Sequence, residues 1–432
     1  MKSPFLTPLL LAALALPACR AAAPAPAAAA APAPVSTPDS LRIRADIAYL
    51  ASDRLEGRRT GTPGNDSAAA YIARRYRALG LAAMTPTSYL QPFVARPAAS
   101  AHAGNPEALP TQNVVAMLAG TDPALRNQYV VVGAHFDHLG RSTEGALDPQ
   151  AGAVIRNGAD DNASGTAAVL ELARIFRAAP TRRSLLFVNF TGEEEGLLGS
   201  AYFVEHSPVS LDSIDAMVNF DMVGRLRNRR LIVYGVATGR EFRALLDSAN
   251  AGRAEIFGQG DGFGPSDQSS FYAKDIPVLH FFTDLHEDYH RATDDVDKIN
   301  AGGEATVVDI GERVIRDVAD RPARITFFRV PAKPTVAASS SGSDVYFGSI
   351  PDMAAGEVKG ERLTGVTAGS PADLGGVKAG DIVVEFGGMP VTDLETYSAA
   401  LYAHKPGDVV RVVVLRDGKR VTLSVTLGRR GG

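Results

Sequence analysis

The stretch Leu285–Asp295, LHEDYHRATDD, contains the pattern H-E-x-x-H. On a helix that spacing sets two histidines one turn apart, where both can bind one zinc ion with a glutamate between them. In a loop the same letters would imply a different fold and a different site. The stretch follows IPVLHFFTD, an apolar run rich in β-formers, and leads into the polar RATDD. No apolar stripe of helical period surrounds it. A helical reading would take Glu304 or Glu312 as a downstream third ligand, and it would leave the acidic motifs upstream without a purpose.

Those motifs lie in a chain of alternating patterns. From Gln112 onward QYVVVGAHFD, RSLLFVNFTGEEE, AMVNFDMVG, RRLIVYGV and IPVLHFFTD alternate with amphipathic runs such as SGTAAVLELARIFRAA. Continuous apolar strands between helical patterns predict an α/β protein with a mostly parallel central sheet flanked by helices. Two helical patterns around a Gly/Pro-rich turn precede this body, and EATVVDIGERVIRDVAD closes it near residue 330. After PAKPTVAASSSGS, a Pro/Ser/Ala linker at 331–343, residues 344–430 read as a separate small β-rich domain. It has one short helix, DLETYSAALYAH, and a closing hairpin turned at Asp417-Gly418.

With 432 residues, 45% hydrophobic and 21% charged, the chain has room for two domains and a large core. A net charge of -4 gives no reason to expect nucleic acid as a partner. Residues 1–19, MKSPFLTPLLLAALALPAC, read as a secretory signal: a lysine, an apolar run too short to span a bilayer, then small residues. Its end, LPAC, resembles a bacterial lipobox, with Cys19 as the residue to be lipidated. The Ala/Pro tract at 20–38 then reads as a spacer to the folded body at 39–330. The expectation is an exported bacterial protein, periplasmic or anchored to a membrane through that lipid. Cys19 is the only cysteine, so the mature fold holds no disulfide and any metal site must use histidine and carboxylates.

Polar residues gather at the C-terminal ends of the expected strands, where ligands bind in open α/β sheets. GAHFD places His135 and Asp137 two apart, on one side of a strand, so that the carboxylate can orient the ring. NGADDNASG sets two aspartates before a helix, TGEEEG three glutamates after a buried strand, and NFDMVG Asp221 at the end of another. An acidic residue after a strand is usually a cap or a solvated loop residue. Several at one sheet edge are an unlikely coincidence.

In their order, HFD, DDNASG, EEEGLLGS, NFDMVG, SDQSSF and YHRATDD resemble the dizinc aminopeptidases of the MH clan, over about residues 40 to 325. That clan also contains glutaminyl cyclases and glutamate carboxypeptidase-like enzymes. The resemblance implies two Zn2+ ions held by His135, Asp161, Glu194, Asp221 and His290, with Asp161 rather than Asp160 bridging them. It further implies Glu193 as general base, Tyr289 as an oxyanion donor, Asp137 behind His135, and Glu195 as a bystander. The segment around His290 is then a loop supplying one ligand, which drops His286 and Glu287; the remaining histidines read as ordinary surface or core residues. One departure is Gln268 in SDQSSF, where the family often has histidine.

YFGSIPDM, GSPADLGGVKAGDIVVEFGGMPV and VVRVVVLRDGK together resemble a bacterial PDZ domain. The resemblance implies capture of a peptide C-terminal carboxylate near Tyr346, Phe347, Gly348 and Ser349, with the peptide added as a strand. The expected function is therefore a zinc aminopeptidase acting on peptides with a free N-terminus, with a PDZ module for a peptide or protein ligand. A cyclase or carboxypeptidase of the same clan is the alternative within enzymes, and a non-catalytic surface binding protein the alternative outside them.

Overall fold

The computed structural model describes Met1 and residues 37–84, 88–96, 108–264, 266–331, 345–351, 359–366, 369–392 and 394–429. The expected signal with Cys19, nearly all of the Ala/Pro spacer and nearly all of the second linker lie outside the described residues.

The first body opens with α1 (Ser40–Leu50) and α2 (Pro63–Ala78), followed by β1 (Ala82–Ala83), β2 (Leu90–Ala95), β3 (Leu109–Leu118) and β4 (Tyr129–His135). Then come α3 (Gly165–Ala178), β5 (Ser184–Phe190), α4 (Leu198–Glu205), β6 (Ile214–Phe220) and β7 (Arg230–Tyr234). It closes with α5 (Phe242–Asn250), β8 (Glu255–Gly258), α6 (Gln268–Tyr272), β9 (Val278–Phe282) and α7 (Ala301–Asp320). Thr62 caps α2 by accepting from the Asn65 N–H, with Pro63 at the first turn, where its missing donor costs nothing.

Eight of the strands run in the order β1-β3-β5-β4-β6-β9-β7-β8, with β2 on β3. The four central strands, β5-β4-β6-β9, are parallel, and so is the β7–β8 pair. The flanks are not: β3 runs antiparallel to β5, β1 and β2 to β3, and β7 to β9. The sheet is mixed, and the expected parallel character belongs to its centre. Apolar content reports burial but not strand direction, so direction was beyond the pattern.

β5 and β6 are buried along their whole length, which is why their sequences do not alternate. Val130, Val132, Leu185, Phe187, Val218 and Phe220 face one core with residues of α1, α2, α3, α5 and α7. Val131, Leu186, Val188 and Met217 face the other with Phe203 of α4 and Phe271 of α6. Each such side chain contributes roughly 1.5–3 kcal/mol by burial. A slip of one residue would exchange the two faces, so register is strongly specified. That register sets His135 beside Phe190, and the polar turn after β5 begins where β4 ends.

The C-terminal body has a sheet ordered β11-β12-β13-β15-β16: β11 (Ser349–Pro351), β12 (Glu361–Val366), β13 (Ile382–Phe386), β15 (Val409–Arg416) and β16 (Lys419–Thr426). β14 (Met389–Pro390) pairs with β13, while β10 (Val345–Tyr346) and β17 (Gly428–Arg429) form a separate pair. Two short helices complete it, α8 (Pro371–Leu374) and α9 (Leu394–Tyr402). Arg416 pairs with Lys419 across Asp417 and Gly418, whose φ values of 51° and 73° suit a tight hairpin turn.

Candidate metal centre

Four adjacent strands deliver the site. His135 ends β4; Glu193 and Glu194 lie in the turn after β5; Asp221 follows β6; and the loop after β9 carries Tyr289 and His290. Asp161 comes from the irregular turn before α3. All sit beyond the carboxyl ends of the central parallel strands, as expected for a sheet of this kind.

The opening stretch is not a helix. Residues 283–286 are irregular loop and 287–290 a turn, so His286 and His290 do not share a helical face. Glu287 is exposed. His290 takes a left-handed φ of 54°, uncommon for a side chain of its size. The conformation is held by the Leu147 N–H donating to its carbonyl at 2.9 Å and by its Nδ1, 2.9 Å from the Gly145 carbonyl. With Nδ1 occupied, Nε2 faces the carboxylates.

Asp161 is the centre of the arrangement. Its Oδ1 lies 3.4 Å from His135 Nε2, which is itself 3.4 Å from Asp221 Oδ1. Its Oδ2 lies 3.1 Å from His290 Nε2, which is 3.2 Å from Glu194 Oε2. One carboxylate thus faces two groups, one with each oxygen. Two atoms bound to the same tetrahedral zinc at roughly 2.0–2.1 Å would stand about 3.4 Å apart, so these separations suit ligand pairs. Asp221 Oδ1 is buried and has no hydrogen-bond partner, which also fits a cation there.

Glu193 stands slightly apart, its Oε2 4.0 Å from His135 Nε2. Burial pushes its carboxyl well above the ordinary range; His135 opposes this, and Glu194, Asp221 and Asp267 add to it. For Glu194 burial acts in the same direction, but His290 and His138 beside it hold the carboxyl well below that range. Two adjacent glutamates are thereby driven apart in proton affinity. Burial also raises the Tyr289 hydroxyl, reinforced by Asp161, Glu194, Glu193 and Asp221, so it remains a donor; its ring stacks on His290 at 3.9 Å.

Asp137 meets the His135 ring through its backbone carbonyl rather than its carboxylate. The His135 Nδ1 is 3.2 Å from the Asp137 backbone carbonyl and 3.6 Å from its carboxylate, because β4 ends at His135 and the chain turns there. The carboxylate instead accepts the backbone N–H groups of Glu193 and Glu194, each at 3.3 Å, and the Thr60 hydroxyl at 3.2 Å. Glu195 turns away from the cluster toward Arg59, 3.5 Å off. Gln268 is buried and accepts from Asn219 at 3.3 Å.

Four residues that sequence reasoning passed over or set aside support the site. Asp160 accepts the Gly224 N–H at 2.7 Å and lies 3.1 Å from His286 Nε2, so His286 is a buried partner of the residue before Asp161 rather than a bystander. His138, fully buried, contacts Glu194. Arg58, also fully buried, donates to the carbonyls of Phe136, Asn157 and Gly158 at 2.7, 2.7 and 3.0 Å. One guanidinium thereby ties the segment just after His135 to the turn bearing Asp161. Nothing local in EGRRTG marks it; only the fold brings it there.

Residues 113–314 match the model of peptidase family M28. This segment belongs to that family. The family is one of zinc-dependent peptidases, and a PDZ domain matches at 353–427. Aminopeptidase YwaD of Bacillus subtilis is 44% identical over 68 residues, 16% of this chain and 15% of that protein. The solved aminopeptidase from Aneurinibacillus sp. strain AM-1 shares the fold at a TM-score of 0.52 and 19% identity, covering 68% of this chain and 97% of that one. Glutaminyl cyclase of Bacteroides thetaiotaomicron, solved with N-acetylhistamine, gives 0.54 and 16%, covering 66% and 99%. The chain spans 22%, 24% and 15% of the lengths of three curated relatives it matches.

In the PDZ domain the sequence-expected loop has divided duties. Tyr346 pairs with Gly428, Phe347 packs into the core 5.0 Å from Phe386, and the Ser349 and Tyr397 hydroxyls are 2.5 Å apart. Gly348 has a φ of 86° and presses on Ser370, where any side chain would collide. The side chain of Phe347 is thus structural, and a peptide would be met by the backbone.

Proposed function

We propose that this chain is a two-zinc aminopeptidase that removes N-terminal residues from peptides, with its PDZ domain docking a peptide or protein C-terminus. The observation that carries the reading is Asp161, whose two oxygens face two separate sets of donors. His135, Asp161 and Asp221 would hold one zinc, and Asp161, Glu194 and His290 the other. Bound there, two zinc ions would polarise the scissile carbonyl and acidify a water between them.

The rest is work for side chains. Glu193, half-buried and farther from His135 than Asp161 and Asp221 are, accepts the proton of the attacking water and returns it to the leaving amine. Its raised proton affinity favours the accepting half of that transfer. Tyr289 donates a hydrogen bond to the oxygen that gains negative charge, and its raised pKa keeps the proton available. Asp137 holds the backbones of Glu193 and Glu194 from below, fixing base and ligand relative to each other. In the PDZ domain β11 is the edge of its sheet, open to strand addition among the described residues.

The test is a panel of free, N-blocked and N-terminal glutaminyl peptides, with zinc content measured on the same preparation. Release of amino acids from free peptides alone, with two zinc ions per chain, is expected. Cyclisation of glutaminyl peptides without hydrolysis would replace this reading with the cyclase one, and release from blocked peptides would remove the aminopeptidase assignment.

A further inference from the structure

We propose that His138 is a positioning residue for Glu194, and that it sets the zinc affinity of the His290 side of the centre while leaving the His135 side alone. The inference rests on the two-zinc reading above.

The two oxygens of Glu194 have different partners. Oε2 lies 3.2 Å from His290 Nε2, within the proposed ligand set, whereas Oε1 lies 2.8 Å from His138 Nδ1. A separation of 2.8 Å is a hydrogen-bond length and is shorter than the roughly 3.4 Å expected between two ligands of one tetrahedral zinc. His138 is therefore a donor to the carboxylate and not a further ligand. Its Nδ1 is more remote from Asp161 Oδ2, at 3.8 Å.

The tautomer follows from burial. His138 Nε2 is buried with no hydrogen-bond partner, so a proton there would be an orphaned donor. The proton belongs on Nδ1, where Glu194 accepts it. Packing fixes the ring as well. Gly158 lies against it so closely that an added Cβ would stand 2.5 Å from Cγ and 2.6 Å from Cδ2. His290 meets it edge-on at 5.7 Å.

Glu194 is thus held at both ends, with Asp137 accepting its backbone N–H and His138 donating to its outer oxygen. Partners of this kind keep a carboxylate on a metal through one oxygen in one orientation. Without His138 the head group of Glu194 can rotate or ligate through both oxygens. Among the described residues no hydrogen bond or ion pair joins His138 to His135 or Asp221. The consequence should fall on one site.

The experiment is zinc binding to the metal-stripped full chain, titrated against a competing chelator, with folding followed by circular dichroism. His138→Leu keeps bulk against Gly158 but has no donor; His138→Asn places an amide N–H near the position of Nδ1. Wild type should bind two zinc ions. The leucine variant should bind one with wild-type affinity and the other about 10–100-fold more weakly, the scale for losing such a partner. Asparagine should recover most of the loss. Should the leucine variant not fold, His138→Ala takes its place in the same comparison. Unchanged affinity at both sites, equal weakening of both, or an asparagine variant no better than leucine would overturn the inference. Wild type binding a single zinc would instead remove the two-zinc reading, a result distinguishable because it needs no variant.

Discussion

Replacing Asp294 with alanine should both destabilise the peptidase domain and loosen its metal centre. Asp294 belongs to the RATDD that follows the H-E-x-x-H letters, and it is fully buried. Its Oδ2 accepts the backbone N–H groups of Asp160 at 2.9 Å and Asp161 at 3.1 Å, and its Oδ1 accepts from Arg225 at 3.0 Å. Alanine leaves two buried N–H groups unpaired, at roughly 1–3 kcal/mol each. Arg225 keeps Asp288 at 3.1 Å, so its loss is small. One effect opposes these: burial and the charge of Asp160 push the Asp294 carboxyl up, so removing it relieves some repulsion. The expected net cost is about 3 kcal/mol. Asp294→Asn, which can still accept from both N–H groups, should cost less than half of that. A 1 Å shift of a reacting group can lower turnover about 10²-fold, and Asp161 hangs from the freed backbone. Urea unfolding, zinc content and turnover on one preparation give all three quantities. Glu287→Ala, at an exposed position, is the control and should stay within about 0.5 kcal/mol of wild type. An alanine variant at Asp294 within 1 kcal/mol of wild type, with zinc and turnover intact, would refute the anchoring role.

Glu193→Gln should keep zinc and fold while turnover drops at least ~10²-fold, and equal activity would move the base elsewhere. Asp161→Ala should lose both zinc ions, whereas Glu287→Ala should keep both along with activity; the reverse would restore a helical H-E-x-x-H site. Deleting the chain after about Ala332 should leave hydrolysis of small amino-acid amides nearly unchanged and weaken only long or docked substrates, since every proposed ligand precedes the linker. A large change on the small amide would show that the PDZ domain gates the site. His280 is fully buried and its pKa is pushed down from 6.5 to about 4 by burial, so between those values the unfolded chain binds the extra proton and stability falls as pH falls. His280→Leu should therefore flatten the acid limb of a urea-unfolding series, and an unchanged slope would count against it.

Much of the site was legible because its residues mark strand ends, and strand ends are where apolar runs stop. HFD, EEE and NFD each follow a run buried on both faces, so the polar residue after it has one place to go. Strand direction was not legible. β3 and β7 look like their parallel neighbours in composition, and only the connections around them make them antiparallel. The histidines show the limit differently. His135 and His290 stand in motifs that mark them as candidate ligands, whereas His138 and His286 contact an oxygen or a residue that no local motif singles out. Such roles depend on which atom is already occupied, and that is decided by three-dimensional packing.

Arg58 carries the same point further. The charges it faces, Asp137, Asp161, Asp294 and Glu194, come from four separate stretches, and burial lowers its pKa to about 10 while those carboxylates resist. A buried guanidinium is costly unless its donors are satisfied, and here backbone carbonyls of Phe136, Asn157 and Gly158 satisfy them. Its position therefore depends on both site loops already being in place, and the loops depend in turn on it. The carboxylates of the candidate centre repel one another before any metal is bound, and a nearby cation offsets part of that repulsion. Arg58 supplies that charge without competing as a ligand, since its donors point to carbonyls and none to a metal-binding oxygen.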